Sequence, residues 1–273
     1  MPNVPKKVEE RLKQGIKKYQ PILINAKSRD VGEADTVTII KDLLSEVFGY
    51  DKYSEITSEF SIRGTFCDLA IKLDNKISNL IEVKAVGIDL KDQHVKQAID
   101  YAANQGIDWV VLTNGLKWQV YKLTFSKPID KELVVSFDVE VFNIRSVKDI
   151  ESLYLLCKEG WQRSALGEYH IQKQALSRFF IGALVLSDSV LDVIRRELKK
   201  VSPDVKITNQ EIKDVLVNEV IKREVIEGER ADNALKKITK VVNKNKPVKS
   251  TLPPPISPSE EINSIQAQDN NQI

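Results

Sequence analysis

Histidine and cysteine are scarce in this chain of 273 residues, which contains only His94, His170, Cys67 and Cys157. A Ser-His-Asp triad or a Cys-His pair requires a histidine beside its nucleophile, so this scarcity argues against both kinds of catalysis. Two isolated cysteines form neither a disulfide framework nor a CxxC metal clip, and we interpret both as ordinary buried residues. The chemistry of the chain is therefore expected to depend on other side chains.

Long apolar runs are also missing from the sequence. No segment approaches the ~18 consecutive apolar residues of a membrane helix, so we expect no membrane partner. Residues 1–18 are polar and charged, without the apolar stretch of a signal peptide, and we expect a cytoplasmic protein. The formal net charge is only +2, so binding to nucleic acid would require a local basic patch rather than bulk charge.

The first 50 residues predict two amphipathic helices. Apolar residues at helical spacing indicate a helix from Lys6 to Tyr19, which Pro21 is expected to end. A second helix is predicted from Glu33 to Phe48, and Gly49 ends it. Its inward stripe is predicted to consist of Val37, Ile40, Leu44 and Val47.

Strands dominate the next part of the chain. Five are predicted, with turns at Arg63-Gly64, Asp74-Asn75-Lys76 and Asn114-Gly115, and a helix over Lys91–Gln105 interrupts them. The predicted strands are Ile56–Ser61, Thr65–Leu73, Leu80–Val86, Trp109–Thr113 and Lys117–Leu123. Strands alternating with helices around one mixed sheet indicate an α/β or α+β fold, with the sheet flanked by helices.

The last part of the chain differs from the rest in its pattern. Residues 147–238 are predicted to be mostly helical, with a break at Pro203, and the lysine-rich segment 236–249 contains six lysines and no acid. The Pro-, Ser-, Gln- and Asn-rich end is typical of a disordered tail. We therefore predict a domain over 1–145, a helical region over 146–243 and a disordered tail over 244–273.

A short polar motif interrupts the third predicted strand. Side chains alternate along a strand, so Glu82 and Lys84 share one face while Ile81 and Val83 take the other. Glu-x-Lys on a strand occurs by chance in many proteins, and charged residues there usually lie on a solvated face. The motif alone is therefore weak evidence for a site.

The preceding strand supplies a second carboxylate. Cys67, Leu69 and Ile71 are expected to form one apolar face, which leaves Asp68 on the other. A tight turn between the two strands makes them adjacent and antiparallel, so Asp68 can converge with the Glu-x-Lys pair. Two carboxylates about 4 Å apart repel by roughly 4 kcal/mol at an effective dielectric near 20, a repulsion that a divalent cation turns into binding.

Mg²⁺, or Mn²⁺ in its place, is the cation that such a group would suit. Mg²⁺ prefers few carboxylates, several waters and the oxygens of a substrate phosphate. We predict Asp68, Glu82 and the backbone carbonyl of Val83 as its ligands. Lys84 would act on the attacking water or the developing negative charge, so the group predicts phosphodiester hydrolysis.

Three further polar residues bear on this hypothesis. Glu33 is four residues before Val37, on the inward face of its helix, where it would support a metal or Lys84. An acid that interacts with the helix macrodipole is the structural alternative. Gln97 and Tyr101 form a stripe on the helix after the Glu-x-Lys strand, which either faces the site or lies on the surface.

The segment from Gly32 to Lys122 resembles the N-terminal nuclease domain of the R (motor) subunit of type I restriction enzymes, which belongs to the PD-(D/E)xK superfamily. The resemblance implies metal and catalytic roles for Glu33, Asp68, Glu82 and Lys84, and an assisting role for Gln97 and Tyr101. The matching pieces are Glu33-Ala-Asp-Thr36, Phe66-Cys-Asp-Leu-Ala-Ile71, Ile81-Glu-Val-Lys-Ala85, Gln97-Ala-Ile-Asp-Tyr101 and Val111-Leu-Thr-Asn-Gly115 with Trp118 and Tyr121.

The sequence departs from that family in lacking the motor. It has no phosphate loop of the form G-x-x-x-x-G-K-[ST], so we expect no use of ATP. The leading hypothesis is a metal-dependent endonuclease that cuts DNA. The alternatives are a catalytically silent module that binds DNA or a partner, and a structural partner protein that acts through its helical half. That half could form a homodimer or bind DNA, and the lysine-rich segment either contacts phosphates or is a solubilising linker.

Overall fold

The computed structural model describes residues 3–62, 65–126 and 128–244. Its centre is one sheet of six strands, β1 to β6, that lie side by side in the order of the chain. All neighbouring strands are antiparallel except β3 and β4, which are parallel because helix α3 crosses between them. The strands are β1 Ile56–Ile62, β2 Thr65–Leu73, β3 Lys76–Val83, β4 Trp109–Thr113, β5 Lys117–Thr124 and β6 Asp130–Asp138.

Helices cover both faces of this sheet, which confirms the predicted α/β class. Leu69, Ile81 and Val111 belong to the larger buried cluster, which also includes residues of α1, α2 and α4. Leu80 and Val110, one residue earlier on β3 and β4, belong to the smaller cluster under α3. The first four helices are α1 Lys6–Ser28, α2 Glu33–Glu46, α3 Asp92–Gln105 and α4 Val147–Tyr154.

The first helix corrects the prediction that Pro21 ends it. Helix α1 continues through Pro21 to Ser28. A proline inside a helix removes one backbone hydrogen bond and costs about 3 kcal/mol. The buried stripe nevertheless continues beyond it to Leu23 and Ala26, and burying an aliphatic side chain such as leucine gains about 1.5–3 kcal/mol. Tertiary packing thus offsets the local preference.

Most other element predictions agree with the structure. β2 and β4 have the predicted bounds, α2 and α3 agree within two residues, and Gly49 and Gly106 follow these helices with φ of +85° and +67°. Three residues of the predicted inward stripe of α2 are buried, while Val37 is partly buried. The predicted turn at Arg63-Gly64 lies outside the described residues.

Two strands differ from the sequence prediction. The third strand spans Lys76–Val83 rather than Leu80–Val86, because the amide of Val86 leaves the sheet and donates to the hydroxyl of Thr36. The sixth strand, β6, was not predicted. It begins with the charged residues Asp130-Lys-Glu, which are unfavourable in a strand, and only the short segment Leu133-Val-Val135 that follows has the apolar pattern of one.

The chain divides into two compact units, Met1–Ser177 and Arg178–Ile273. The sequence-based boundary at 145 precedes α4, whose Leu153 and Tyr154 are buried in the larger core of the first unit. Helices α5 (Lys158–Gln162) and α6 (Ala165–Ala175) complete that unit.

The second unit is helical through its described part, as predicted. Helix α8 ends at Val201, just before Pro203, which confirms the predicted break. The predicted tail lies outside the described residues from 245 onward. Among the residues described, no helix has the length and apolar character needed to cross a membrane. The helices are α7 Arg178–Val185, α8 Asp188–Val201, α9 Asn209–Val215, α10 Arg223–Ile226 and α11 Glu229–Lys244, with a π-helical turn at Leu216–Val220.

Candidate active site

The antiparallel pair of β2 and β3 brings the predicted carboxylates together. Leu69 lies opposite Ile81, so Asp68 and Glu82 lie next to each other one position further along. Asp68 Oδ2 accepts a hydrogen bond of 2.7 Å from the amide of Val83. The side chain of Asp68 thereby satisfies a β3 amide at the place where the pairing of the two strands ends.

Lys84 connects the strand acids to the second helix. Its Nζ donates to Glu82 Oε1 at 2.8 Å and lies 3.5 Å from Glu33 Oε2. Glu33 is the first residue of α2, and its side chain is 48% exposed, so it is less inward than predicted but still reaches the lysine. The structure therefore brings Glu33, Asp68, Glu82 and Lys84 into one cluster.

Burial raises the pKa of the two strand acids. For Asp68, loss of solvent outweighs the hydrogen bond from the Val83 amide and the charge of Lys84. For Glu82, loss of solvent and the nearby charge of Asp68 outweigh the hydrogen bond from Lys84. Burial lowers the pKa of Lys84, but the hydrogen bond to Glu82 and the surrounding acids raise it overall. Three carboxylates surround one ammonium group, so the cluster has excess negative charge.

The donor set of this cluster fits a hard cation that retains most of its waters. No group of three or more His, Cys, Asp or Glu side chains is arranged to hold a metal in the described ranges. Mg²⁺ usually takes only one or two carboxylates from the protein, and water and phosphate oxygens complete its shell. Asp68 and Glu82 meet that smaller requirement, while the role of the Val83 carbonyl stays a prediction.

Of the two predicted site residues on helix α3, Tyr101 is buried and Gln97 is exposed. Tyr101 is 1% exposed and packs in the cluster between α3 and the sheet. Burial raises its pKa, and the electrostatic influence of nearby Cys67 raises it further. Gln97, one turn earlier, is exposed. Their part in catalysis stays a prediction.

Cys67 corrects one detail of the predicted strand pattern. It lies in the α3 cluster, whereas Leu69 and Ile71 lie in the larger one, so the three do not form a single apolar face. Its thiol, a weak donor with a single proton, lies 3.5 Å from the carbonyl oxygen of Leu69 and 3.4 Å from that of Ile81. Both cysteines are buried and unpaired by disulfide, as predicted.

Two residues that support the site were missed by sequence reasoning. Thr36 is fully buried, and its hydroxyl accepts from the amide of Val86 at 3.2 Å. Asn114 is 4% exposed, and its Nδ2 donates to the carbonyls of Val86 and Ile88. The Asn-Gly turn was predicted, but nothing in the local sequence reveals that the Asn114 side chain holds the loop after Lys84.

The aromatic residues after that turn serve packing. Trp118 is 1% exposed, donates through Nε1 to the carbonyl of Gly115, and contacts Phe48 edge to face at a centroid distance of 5.4 Å. Tyr121 is 4% exposed in the cluster under α3.

Comparison with known families agrees with the resemblance seen in the sequence. Residues 38–134 match the family described as type I restriction enzyme R protein N terminus. The matched segment contains Asp68, Glu82, Lys84, Gln97 and Tyr101, whereas Glu33 precedes it. Comparison with curated proteins and with solved structures gave no match.

Proposed function

We propose that this chain is a metal-dependent endonuclease that hydrolyses phosphodiester bonds of DNA through Asp68, Glu82 and Lys84, with the chemistry of the PD-(D/E)xK superfamily. The observation that carries the proposal is a buried carboxylate, Glu82, next to a partly buried one, Asp68, both with raised pKa values and beside one lysine. The family match over 38–134 supports it, because the R protein is a subunit of a restriction enzyme.

Each residue has a role that follows from its place in the cluster. Asp68 and Glu82 bind Mg²⁺, and Mn²⁺ replaces it in the same donor set. The ion, when bound, polarises the scissile phosphate and lowers the pKa of a bound water. Lys84 holds its ammonium group beside Glu82, where it orients the attacking water and stabilises the charge that develops on the phosphate. Glu33 adds a negative charge 3.5 Å from the lysine ammonium group and helps to orient it.

The charge imbalance favours a bound cation over a purely structural role. A buried ion pair stabilises a fold only when each charge is compensated, and uncompensated buried charge is destabilising. Here Lys84 is shared between Glu82 and Glu33, while Asp68 has the Val83 amide as its hydrogen-bond partner. A divalent ion supplies the missing positive charge.

A cleavage assay with a matched lysine pair tests the proposal. Purified full chain is incubated with supercoiled, linear and branched DNA in Mg²⁺, in Mn²⁺ or in EDTA. We expect cleavage that EDTA abolishes and that Lys84→Ala reduces by roughly 100-fold or more. Lys76→Ala removes an exposed lysine at the start of β3, the strand whose end precedes Lys84; it is the control and is expected to cleave like the parent. Equal cleavage by the two variants would remove Lys84 from the mechanism.

A catalytically silent binding module is the second candidate. One observation in its favour is that Lys84 Nζ donates to Glu82 Oε1 at 2.8 Å, which engages an oxygen that a metal would need. Another is that no group of three or more His, Cys, Asp or Glu side chains among the residues described is arranged to hold a metal. This candidate requires DNA binding that persists in EDTA and in Glu82→Ala, with no cleavage of any substrate in the panel.

Pairing of two chains is a further part of the proposed function. In the second unit, α8 carries Val193, Leu198 and Val201 at 45%, 37% and 81% exposure, and such side chains suit contact with a second copy. Light scattering on the full chain tests this. A monomer at all concentrations would exclude pairing, and Val193→Ser with Leu198→Ser should weaken any dimer.

A further inference from the structure

One buried hydroxyl joins the two chain segments that carry Glu33 and Lys84. The Oγ1 of Thr36 donates to the carbonyl of Gly32 at 2.8 Å, one residue before Glu33. The same oxygen accepts from the amide of Val86 at 3.2 Å, two residues after Lys84. Thr36 is fully buried, so water cannot replace either bond without a rearrangement.

The direct contact between the two charged groups is too weak to hold them in place. Nζ of Lys84 and Oε2 of Glu33 are 3.5 Å apart, and the glutamate side chain is about half exposed. Exposed ion pairs of this kind contribute little because solvent screens the charges and both side chains lose freedom. Some other contact must therefore fix the first turn of α2 against the end of β3.

The backbone around Lys84 is held on its other side as well. The amide of Lys84 donates to the carbonyl of Thr113 at 2.8 Å. Asn114 donates to the carbonyl of Val86 at 3.2 Å and to that of Ile88 at 2.9 Å. β4 and its turn thus hold the chain from one side, and Thr36 is the contact from α2.

We infer that Thr36 is a positioning residue, whose hydroxyl sets the place of Glu33 relative to Lys84 by hydrogen bonding the backbone next to each. The expected effect on catalysis rests on the proposed function. The connection that Thr36 makes between the backbone at Gly32 and at Val86 rests on the geometry alone. Thr36 contacts no substrate in this role. It acts through the two charged residues that it aligns.

The same helix offers a matched control. Thr38 also donates its hydroxyl to the carbonyl four residues earlier, that of Ala34, at 3.2 Å, but it is exposed. Thr36→Val and Thr38→Val remove the same group from the same helix and keep the branched shape. Only the first variant leaves the Val86 amide unpaired. Thr36→Ser retains the hydroxyl and serves as the conservative variant.

Cleavage kinetics give the first readout. We expect Thr36→Val to lower kcat by about tenfold or more, because small displacements of a catalytic group have large effects on rate. The KM for DNA should remain unchanged, Thr36→Ser should restore kcat, and Thr38→Val should match the parent. Equal kcat for the two valine variants, or a Thr36→Val defect confined to KM, would overturn the inference.

Amide NMR of the metal-free chain gives a second readout that needs no cleavage. Thr36→Val should shift the amide signals of Lys84 and Val86 and accelerate hydrogen exchange at Val86, whereas Thr38→Val should leave both signals in place. If the parent cleaves no DNA, the proposed function fails, and these signals still decide the link. Unmoved Lys84 and Val86 signals in a folded Thr36→Val chain would refute it.

Discussion

Arg11 and Lys84 both bind acidic side chains in the first unit, but the number of acids around each cation differs. The Arg11 guanidinium donates to both carboxylate oxygens of Glu159 at 2.7 Å and through Nε to the carbonyl of Val47 at 2.9 Å. One cation thus faces one carboxylate and the carbonyl end of α2. Around Lys84, one cation faces three carboxylates.

The pKa values of the acids follow this difference. Burial raises the pKa of Glu159, but the hydrogen bond and charge of Arg11 outweigh it and lower the pKa overall. The pKa values of Asp68 and Glu82 are raised, because their burial exceeds what Lys84 compensates. The Arg11–Glu159 pair has equal positive and negative charge and stabilises the fold by itself. The Lys84 cluster has more negative than positive charge and is suited to binding a cation.

Replacing one acid in each cluster with its amide should give the largest difference in cleavage rate between the two clusters. Glu82→Gln removes one of the two carboxylates proposed to bind the metal, so we expect Mg²⁺-dependent cleavage to fall by roughly 100-fold or more. Glu159→Gln should leave the rate unchanged. Single-turnover cleavage at saturating Mg²⁺ measures both variants, and a Glu159→Gln loss as large as that of Glu82→Gln would erase the distinction.

Removing the positive charge of Arg11 should affect stability rather than cleavage. Arg11→Met keeps the aliphatic part of the side chain but leaves Glu159 and the Val47 carbonyl without their donor, so the free energy of unfolding should fall by about 1–3 kcal/mol. Lys13→Met on the same helix breaks only an exposed pair with Glu9 and should cost about 0–1 kcal/mol. Urea unfolding of the metal-free chains measures both, and indistinguishable midpoints would show that the Arg11 contacts add nothing.

The two clusters should also respond to pH with opposite sign. The folded pKa of Asp68 is above its unfolded value, so the folded chain binds the extra proton and stability falls as pH rises through the folded pKa. The folded pKa of Glu159 is below its unfolded value, so its contribution is present above the unfolded pKa and is lost as pH falls through the folded one.

Unfolding in EDTA from acid to neutral pH tests this difference, which is the smallest of the expected effects. Relative to the parent, Asp68→Asn should become more stable as pH rises, and Glu159→Gln should become less stable. As pH rises, the Asp68→Asn change is expected to begin near the ordinary carboxyl pKa of about 4, and the Glu159→Gln change to be complete there. Parallel curves for the two variants would contradict the assignment of excess charge to the Lys84 cluster.

The strand pattern was enough to predict the centre of the site. Alternation placed Glu82 and Lys84 on one face, and the short turn at Asp74-Asn75 made Asp68 a neighbour of Glu82. Both inferences depend on contacts between residues close in the chain. Glu33 was found from its helical spacing and from the family resemblance, although its side chain is more exposed than that spacing indicated.

Contacts between distant segments were beyond the reach of local patterns. Thr36 bonds to Val86, 50 residues away, and Asn114 bonds to the same residue from 28 residues away. A threonine in a helix and an asparagine in a turn have ordinary local explanations, so neither was assigned a supporting role at the site, although both stand in the pieces that match the family. The continuation of α1 beyond Pro21 has the same cause, because the burial of Leu23 depends on segments that local reasoning does not place.

The order of strands in the sheet has a consequence for how the site is assembled during synthesis. Since β1 to β6 stand in chain order, each strand that leaves the ribosome finds its neighbour already made. Asp68 and Glu82 meet as soon as the β2–β3 hairpin closes. The backbone of Lys84 receives its partner, the carbonyl of Thr113, only after the whole of α3 and β4 has followed. The segments that bring the two strand acids together are thus synthesised before the segment that fixes the backbone of the lysine.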